Sequence, residues 1–243
     1  MSGSPKARQD GQPAYVLHSY PFRETSLVVE VYARNFGRLA LVARGARRPK
    51  SAVRGVLLPF QPVLLSWFGT SELRTLHQAE WQGGQPQLTG RALICGFYLN
   101  ELLLKLLPRE DPYEGLFSHY QEALLKLASP ADQAAVLRSF ERRLLQELGY
   151  GLVLDHDVET GAGIEAAGDY VYEPERGPVP ARDSKAGNSV QLCGKTLLDM
   201  ACDRYADPVT VSQSKALMRA LINHHLGDQT LHTRQLLKDL QQL

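Results

Sequence analysis

Cysteine is scarce: the 243 residues hold three, at positions 95, 193 and 202, with no C-x-x-C pair. An odd, scattered set argues against a disulfide framework and favours a reducing, cytoplasmic setting. Long apolar runs are missing too. The longest, Leu99 to Leu107, is interrupted by Asn100, Glu101 and Lys105, so no membrane contact is expected. The opening segment MSGSPKARQDGQPAY has no apolar core, which argues against a secretory leader. A phosphate loop is absent as well. Cys193-Gly194-Lys195-Thr196 supplies its last residues, but Ser189 stands where the leading glycine belongs, and Thr196 reads as a helix cap, with Asp199 closing a capping box. Asp155-His156-Asp157 has no neighbour at zinc-ligand spacing. His224 and His225 are adjacent, so on a helix they point about 100° apart. No Ser-His-Asp or paired-carboxylate pattern emerges. The residue spacing thus supports no catalytic residue, metal or cofactor, and leaves catalysis open without support.

Acid is absent from one further place. Between Arg34 and Arg54 stand Arg34, Arg38, Arg44, Arg47, Arg48, Lys50 and Arg54 without a single Asp or Glu, in a chain whose net charge is +1. The positive charge is concentrated, and concentrated Lys and Arg attract polyanions through phosphate contacts that carry no sequence preference. A solvated basic loop is the plainer alternative.

The chain changes character near residue 80. Segments 14–19, 26–33, 38–44, 63–68 and 72–80 have the alternation and β-branched content of strands, and Asn35-Phe36-Gly37 between the second and third gives hairpin chemistry, with Gly37 free to take positive φ. Four or five short strands in about seventy residues predict a small sandwich or barrel. In a five-stranded oligonucleotide-binding (OB) barrel, the basic run would border the strand face that holds oligonucleotides. Among the aromatics nearby, Trp67 and Tyr32 read as core, while Phe36, in the hairpin turn, could stack on bases. After the breaker cluster 82–86 the spacing becomes helical over 88–108, 111–128, 131–150, 196–205, 208–226 and 230–242. Asp111-Pro112 and Ser129-Pro130 read as helix starts, and Gly149 as a stop. The division expected is a disordered tail 1–13, a β domain 14–80 and an all-α domain 88–243 with an irregular loop 151–191. On the third helical run, Val136, Leu137, Phe140, Leu144, Leu145 and Leu148 form an apolar stripe flanked by Arg138, Arg142 and Arg143. That pattern fits a core helix, or a basic-rimmed groove for an acidic peptide with apolar anchors.

These stretches together resemble a known family. VLHSYPFRETSLVVEVYARNFGRLALVARGARRPKS and GVLLPFQPVLLSWFGTSELRTLHQAE look like the N-terminal domain of the bacterial RecO recombination mediators, and YLNELLLKLLPREDPYEGLF, LRSFERRLLQELGYGL and HHLGDQTLHTRQLL match the remainder in order. The resemblance implies an α+β protein, an OB-fold followed by a helical domain. It implies a non-enzymatic cytoplasmic protein, on the nucleoid during repair, that binds single- and double-stranded DNA and anneals complementary strands. With RecR, and in some settings RecF, such proteins load RecA onto strands coated by single-stranded DNA-binding protein (SSB), whose acidic, Phe-ended tail they also contact. Arg138 corresponds to the arginine of the LRxFE motif used in that contact, and Arg142 lies one turn on. The DNA-binding set expected is Arg34, Arg38, Arg44, Arg47, Arg48, Lys50, Arg54 and Arg74. Many relatives carry a four-cysteine zinc site in the central loop; residues 151–191 here contain no cysteine. Leu58 replaces the usual Gln of the LQPF motif. A docking adaptor with incidental DNA contact is the rival reading.

Overall fold

A computed structural model describes residues 8–181 and 189–241. The chain divides into two compact units, residues 1–129 with 231–243, and residues 130–230.

The first unit is built on a closed barrel in the order β1-β2-β3-β5-β4, with β1 Arg8–Phe22, β2 Ser26–Ala33, β3 Gly37–Ala43, β4 Pro62–Phe68 and β5 Leu73–Trp81. β3 and β5 pair parallel and the other neighbours antiparallel, which closes the sheet without a free edge. Val16, Val29, Val31, Leu39, Leu41, Leu65 and Trp67 fill the inside. A short helix, α1 (Ala52–Val56), lies over this core through Val53 and Val56, beside Leu76 and Ala79 of β5. Trp67 and Tyr32 are fully buried, as the sequence predicts. Phe36 is not free for stacking: it packs edge-on against Trp67, ring centroids 5.1 Å apart.

β2 reads as a nearly continuous apolar run because both of its faces are covered. Outside the barrel lie α2 (Gly90–Leu106) and α3 (Glu114–Leu127). Phe117 and Tyr120 of α3 pack on Tyr15 and Tyr32, and burial raises the Tyr15 hydroxyl to about 12, against a smaller downward pull from Arg34. The β1–β2 register shifts between Val16 and His18, and Asn100 donates to the carbonyl of Leu17, the residue between them. Helix α7 (His232–Gln241) returns to this unit, where the Glu101 carboxylate accepts from the His232 and Thr233 amides and the Thr233 hydroxyl.

The second unit holds α4 (Gln133–Glu147), a three-stranded sheet in the order β7-β6-β8, and helices α5 (Gly194–Ala201) and α6 (Pro208–Leu226). Its strands are β6 Asp169–Glu173, β7 Gly177–Pro180 and β8 Val190–Cys193, and its core gathers Leu145, Tyr170, Tyr172, Leu197, Met200, Leu217 and Met218.

Several expectations are corrected. Arg8–Pro13 is strand, not disordered tail: these polar residues pair with β4 on one side only, which leaves their side chains exposed and weakens the periodic signal. Residues 1–7 lie outside the described residues. The helical region is not all-α, because the loop 151–191 contributes strands kept inconspicuous by Pro178, Pro180 and Gly177; residues 182–188 lie outside the described ones. Element type changes near residue 85, whereas compactness assigns α2, α3 and α7 to the barrel unit. Helix α3 starts behind Tyr113 rather than Asp111, and α4 is capped by Asp132, which accepts from the Ala134 amide. Thr196 is no cap: it sits inside α5, fully buried, and donates to Gln213 at 2.6 Å. Gly149 ends α4 at φ 87, as expected.

Candidate nucleic-acid interface

The basic run divides in two. Its first part lies on the outer face of β2 and β3 and is enclosed. A strap, residues 107–113, crosses this face between α2 and α3. Arg38 donates twice to the Leu107 carbonyl, at 3.0 and 3.1 Å. The Glu110 amide donates to the Arg38 carbonyl, and the Tyr32 hydroxyl to the Tyr113 carbonyl. Arg74 of β5 donates to Glu110 at 2.7 Å, and Arg109 to Glu30 of β2 at 2.6 Å. Glu30 also faces Arg38 at 3.5 Å, an ion pair too long and bent to count as a hydrogen bond. Burial, together with Arg109, lowers the Arg38 pKa, and Glu30 opposes that fall. The hydrogen bond that Arg109 donates to Glu30 raises the pKa of Arg109. Gly37 explains how closely the strap lies: its φ is 66, and a Cβ there would sit 2.1 Å from the Asp111 carbonyl oxygen. Arg34 is half-buried, its guanidinium over the Phe117 ring at 5.1 Å.

Arg38 and Arg74 therefore leave the expected DNA-contacting set. Both are engaged inside the unit, by partners some seventy and thirty-six residues away in sequence. The face an OB barrel would offer to an oligonucleotide is occupied by the chain itself.

The second part is open. Arg44, Arg47, Arg48 and Lys50, on the loop after β3, and Arg54 of α1 are all exposed. Among the described residues none of them has a carboxylate within ion-pair distance. The Arg47 amide bonds to Thr25, and its guanidinium to the Arg23 and Glu24 carbonyls, which ties this loop to the β1–β2 turn. That turn adds a cation the sequence did not single out, Arg23, exposed at φ 53 with its guanidinium over Phe22. A lone arginine twenty positions upstream gives no signal; the pairing of the two turns brings it in. At one end of the barrel six cations face solvent, an electrostatic footprint for a polyanion.

In the second unit Arg138 is buried rather than on a rim. It pairs at 2.5 Å with Glu141, which is 0% exposed, and its other terminal nitrogen approaches the Lys215 carbonyl. Arg142 is half-buried, 3.4 Å from Asp203. The Nε–H groups of Arg138 and Arg142 are both buried without an acceptor, four residues apart on α4 and so on one face.

The enzyme-like motifs are engaged otherwise. Lys195 is held by Asp199 and Asp207. Asp157 accepts from the Glu159 and Thr160 amides, and among the described residues no three His, Cys, Asp or Glu side chains converge as metal ligands. Among the described residues no helix is long and apolar enough to cross a membrane.

A closed five-stranded barrel continued by a helical region defines the OB-fold class of protein. Comparison with known proteins narrows the class: residues 9–84 match the family described as Recombination protein O N terminal, and residues 87–235 match Recombination protein O C terminal. The chain belongs to the recombination protein O family, a family of DNA repair and recombination proteins. It is 60% identical over 238 residues to the DNA repair protein RecO of Nitrosospira multiformis, covering 98% of each chain. It is 53% identical to those of Aromatoleum aromaticum, with 99% of this chain and 100% of that one covered, and Dechloromonas aromatica, with 98% and 99%.

Proposed function

We propose that this chain is a non-enzymatic recombination mediator that holds DNA by its phosphates on the cationic end of the barrel. The observation that carries the reading is the separation of Arg23, Arg44, Arg47, Arg48, Lys50 and Arg54 from every carboxylate among the described residues, at an end of the barrel that the strap leaves uncovered. Cations with no carboxylate at ion-pair distance attract phosphate from single and double strands alike, and screening repulsion between two backbones is what annealing requires. Loading of RecA on SSB-coated strands, with RecR and RecF as partners, extends the same reading from the family resemblance. The SSB tail is assigned, from the family resemblance, to the second unit, where the partly exposed guanidinium of Arg142 offers N–H donors to a carboxylate. Those same donors favour the second reading, a docking adaptor.

One titration separates the two. With labelled single strands, Arg47→Ala/Arg48→Ala lowers affinity on all sequences, and the slope of log affinity against log salt falls by roughly 1.4, about 0.7 for each phosphate no longer neutralised. An unchanged slope would remove the loop from the interface. Annealing of SSB-coated oligonucleotides that survives this double change but fails in Arg142→Ala would make the adaptor the better account.

A further inference from the structure

Most of the barrel's large aromatics are enclosed. The most exposed of them is Trp81, the last residue of β5, at 60%, followed by Tyr20 of β1 at 42%. An exposed indole ordinarily turns freely, but this one is held. Its Nε1–H donates to the Gln61 side-chain oxygen at 3.2 Å. Gln61 is buried, its amide nitrogen donates to the Gln85 carbonyl, and the Gln85 side chain accepts from the Tyr15 hydroxyl. A chain of buried polar groups thus grips the edge of the ring and leaves its surface to solvent. The segment that carries the grip is continuous with the cationic loop: Arg44 to Lys50 lead into α1 with Arg54, α1 lies beside β5, and Gln61 follows five residues after α1 ends. A fixed aromatic surface next to phosphate-binding cations is the pairing used to hold unpaired bases, because every base has a π-face.

We propose that Trp81 is a stacking platform for an unpaired base, so that the cationic end and Trp81 together favour single-stranded over double-stranded DNA. The inference rests on the DNA-binding reading above and adds to it the state of the strand. A paired base inside a duplex cannot reach the indole, whereas a single strand can lay its backbone on the loop and a base on Trp81.

The chain contains two tryptophans, and the other, Trp67, is 0% exposed inside the barrel. Tryptophan emission therefore reports a ligand at Trp81. The intact protein is titrated with end-labelled oligo-dT and with a blunt hairpin duplex, following label anisotropy for binding and emission for stacking. Oligo-dT is expected to bind and quench; the duplex is expected to bind without quenching. Trp81→Ala removes the quenching and weakens oligo-dT roughly tenfold, the usual loss for one stacked base, with duplex affinity within about twofold, while Trp81→Phe recovers part of the loss. Oligo-dT that binds without altering emission overturns the proposal and leaves the DNA-binding reading standing. So does Trp81→Ala weakening both DNAs equally, which marks a structural role, or affecting neither, which gives the indole to a protein contact. Binding of neither DNA by the parent overturns both.

Discussion

Two groups of cations in the barrel unit behave differently. Arg44, Arg48, Lys50 and Arg54 point into solvent, whereas Arg38 and Arg74, with Arg109 of the strap, each hold an oxygen of the same unit. The difference lies in what the fold brings opposite them. Arg38 and Glu30 sit on the outer face of adjacent strands, and residues 107–113 are laid across that face, so their carboxylate and carbonyls occupy the positions phosphates would take. Where nothing is laid across, after β3, the charge remains available. A charge run marks the neighbourhood of an interface, but only the partners brought from elsewhere decide which of its members can serve.

The sharpest way to break the comparison is to remove the acid that serves two of the enclosed cations. Glu30 is 6% exposed. Glu30→Ala leaves Arg38 without its carboxylate, whereas Arg109, about a third exposed, keeps Glu72 at 3.9 Å, and the change is expected to cost about 3 kcal/mol, the low end for removal of one partner from a buried ion pair. Chemical denaturation measures this loss, and the salt slope of DNA binding is expected to stay as in the parent. A slope that steepened would mean that the strap, once loosened, exposes further phosphate contacts.

Arg138 extends the same logic to the second unit. Arg138→Ala leaves Glu141 buried and charged at the cost of about 3 kcal/mol, and Arg138→Ala/Glu141→Gln recovers a good part of it. Loss of SSB-tail binding in Arg138→Ala alone would therefore confuse contact with folding. Arg142→Ala, half-buried and beside the partly exposed Asp203, is the cleaner probe, with a stability change expected within about 1 kcal/mol.

Much of this architecture is legible in the sequence. Among the described residues all five barrel strands and six of the seven helices lie where periodicity and breakers put them, Gly37 takes the positive φ expected of it, and Gly149 stops α4. The misreadings share a cause. Pro178 and Pro180 hide strand β7, and Arg8–Pro13 have no apolar alternation because one sheet neighbour and solvent surround them. Helix starts slip where Asp111-Pro112 and Ser129-Pro130 imitate caps that the chain builds two or three residues later. For the candidate site, the concentration of charge is visible in the sequence, but its partition is not. Arg38 meets Leu107, Arg74 meets Glu110 and Arg47 meets Arg23 only through pairings of distant residues, and no local pattern encodes them.

The gentlest test concerns a carboxylate held without an arginine. Glu101 joins α7 to the barrel unit through the Thr233 hydroxyl and the His232 and Thr233 amides, with Lys105 at 3.2 Å. Burial pushes its carboxyl up, but the hydrogen bonds from Thr233 and His232 and the lysine outweigh it, and the net pKa lies below the ordinary 4.5. The native state therefore releases this proton more readily than the unfolded state does. The stabilisation is complete above about pH 4.5 and is lost as pH falls through the lower native value. A carboxylate capping a helix start contributes about 1 kcal/mol, so the effect should be local rather than global. Hydrogen exchange of the α7 amides is expected to accelerate on acidification below that pH while the barrel amides stay protected, and Glu101→Gln should show the faster exchange already at neutral pH. Equal acceleration in barrel and helix would mean that α7 is no separate latch but unfolds together with the barrel.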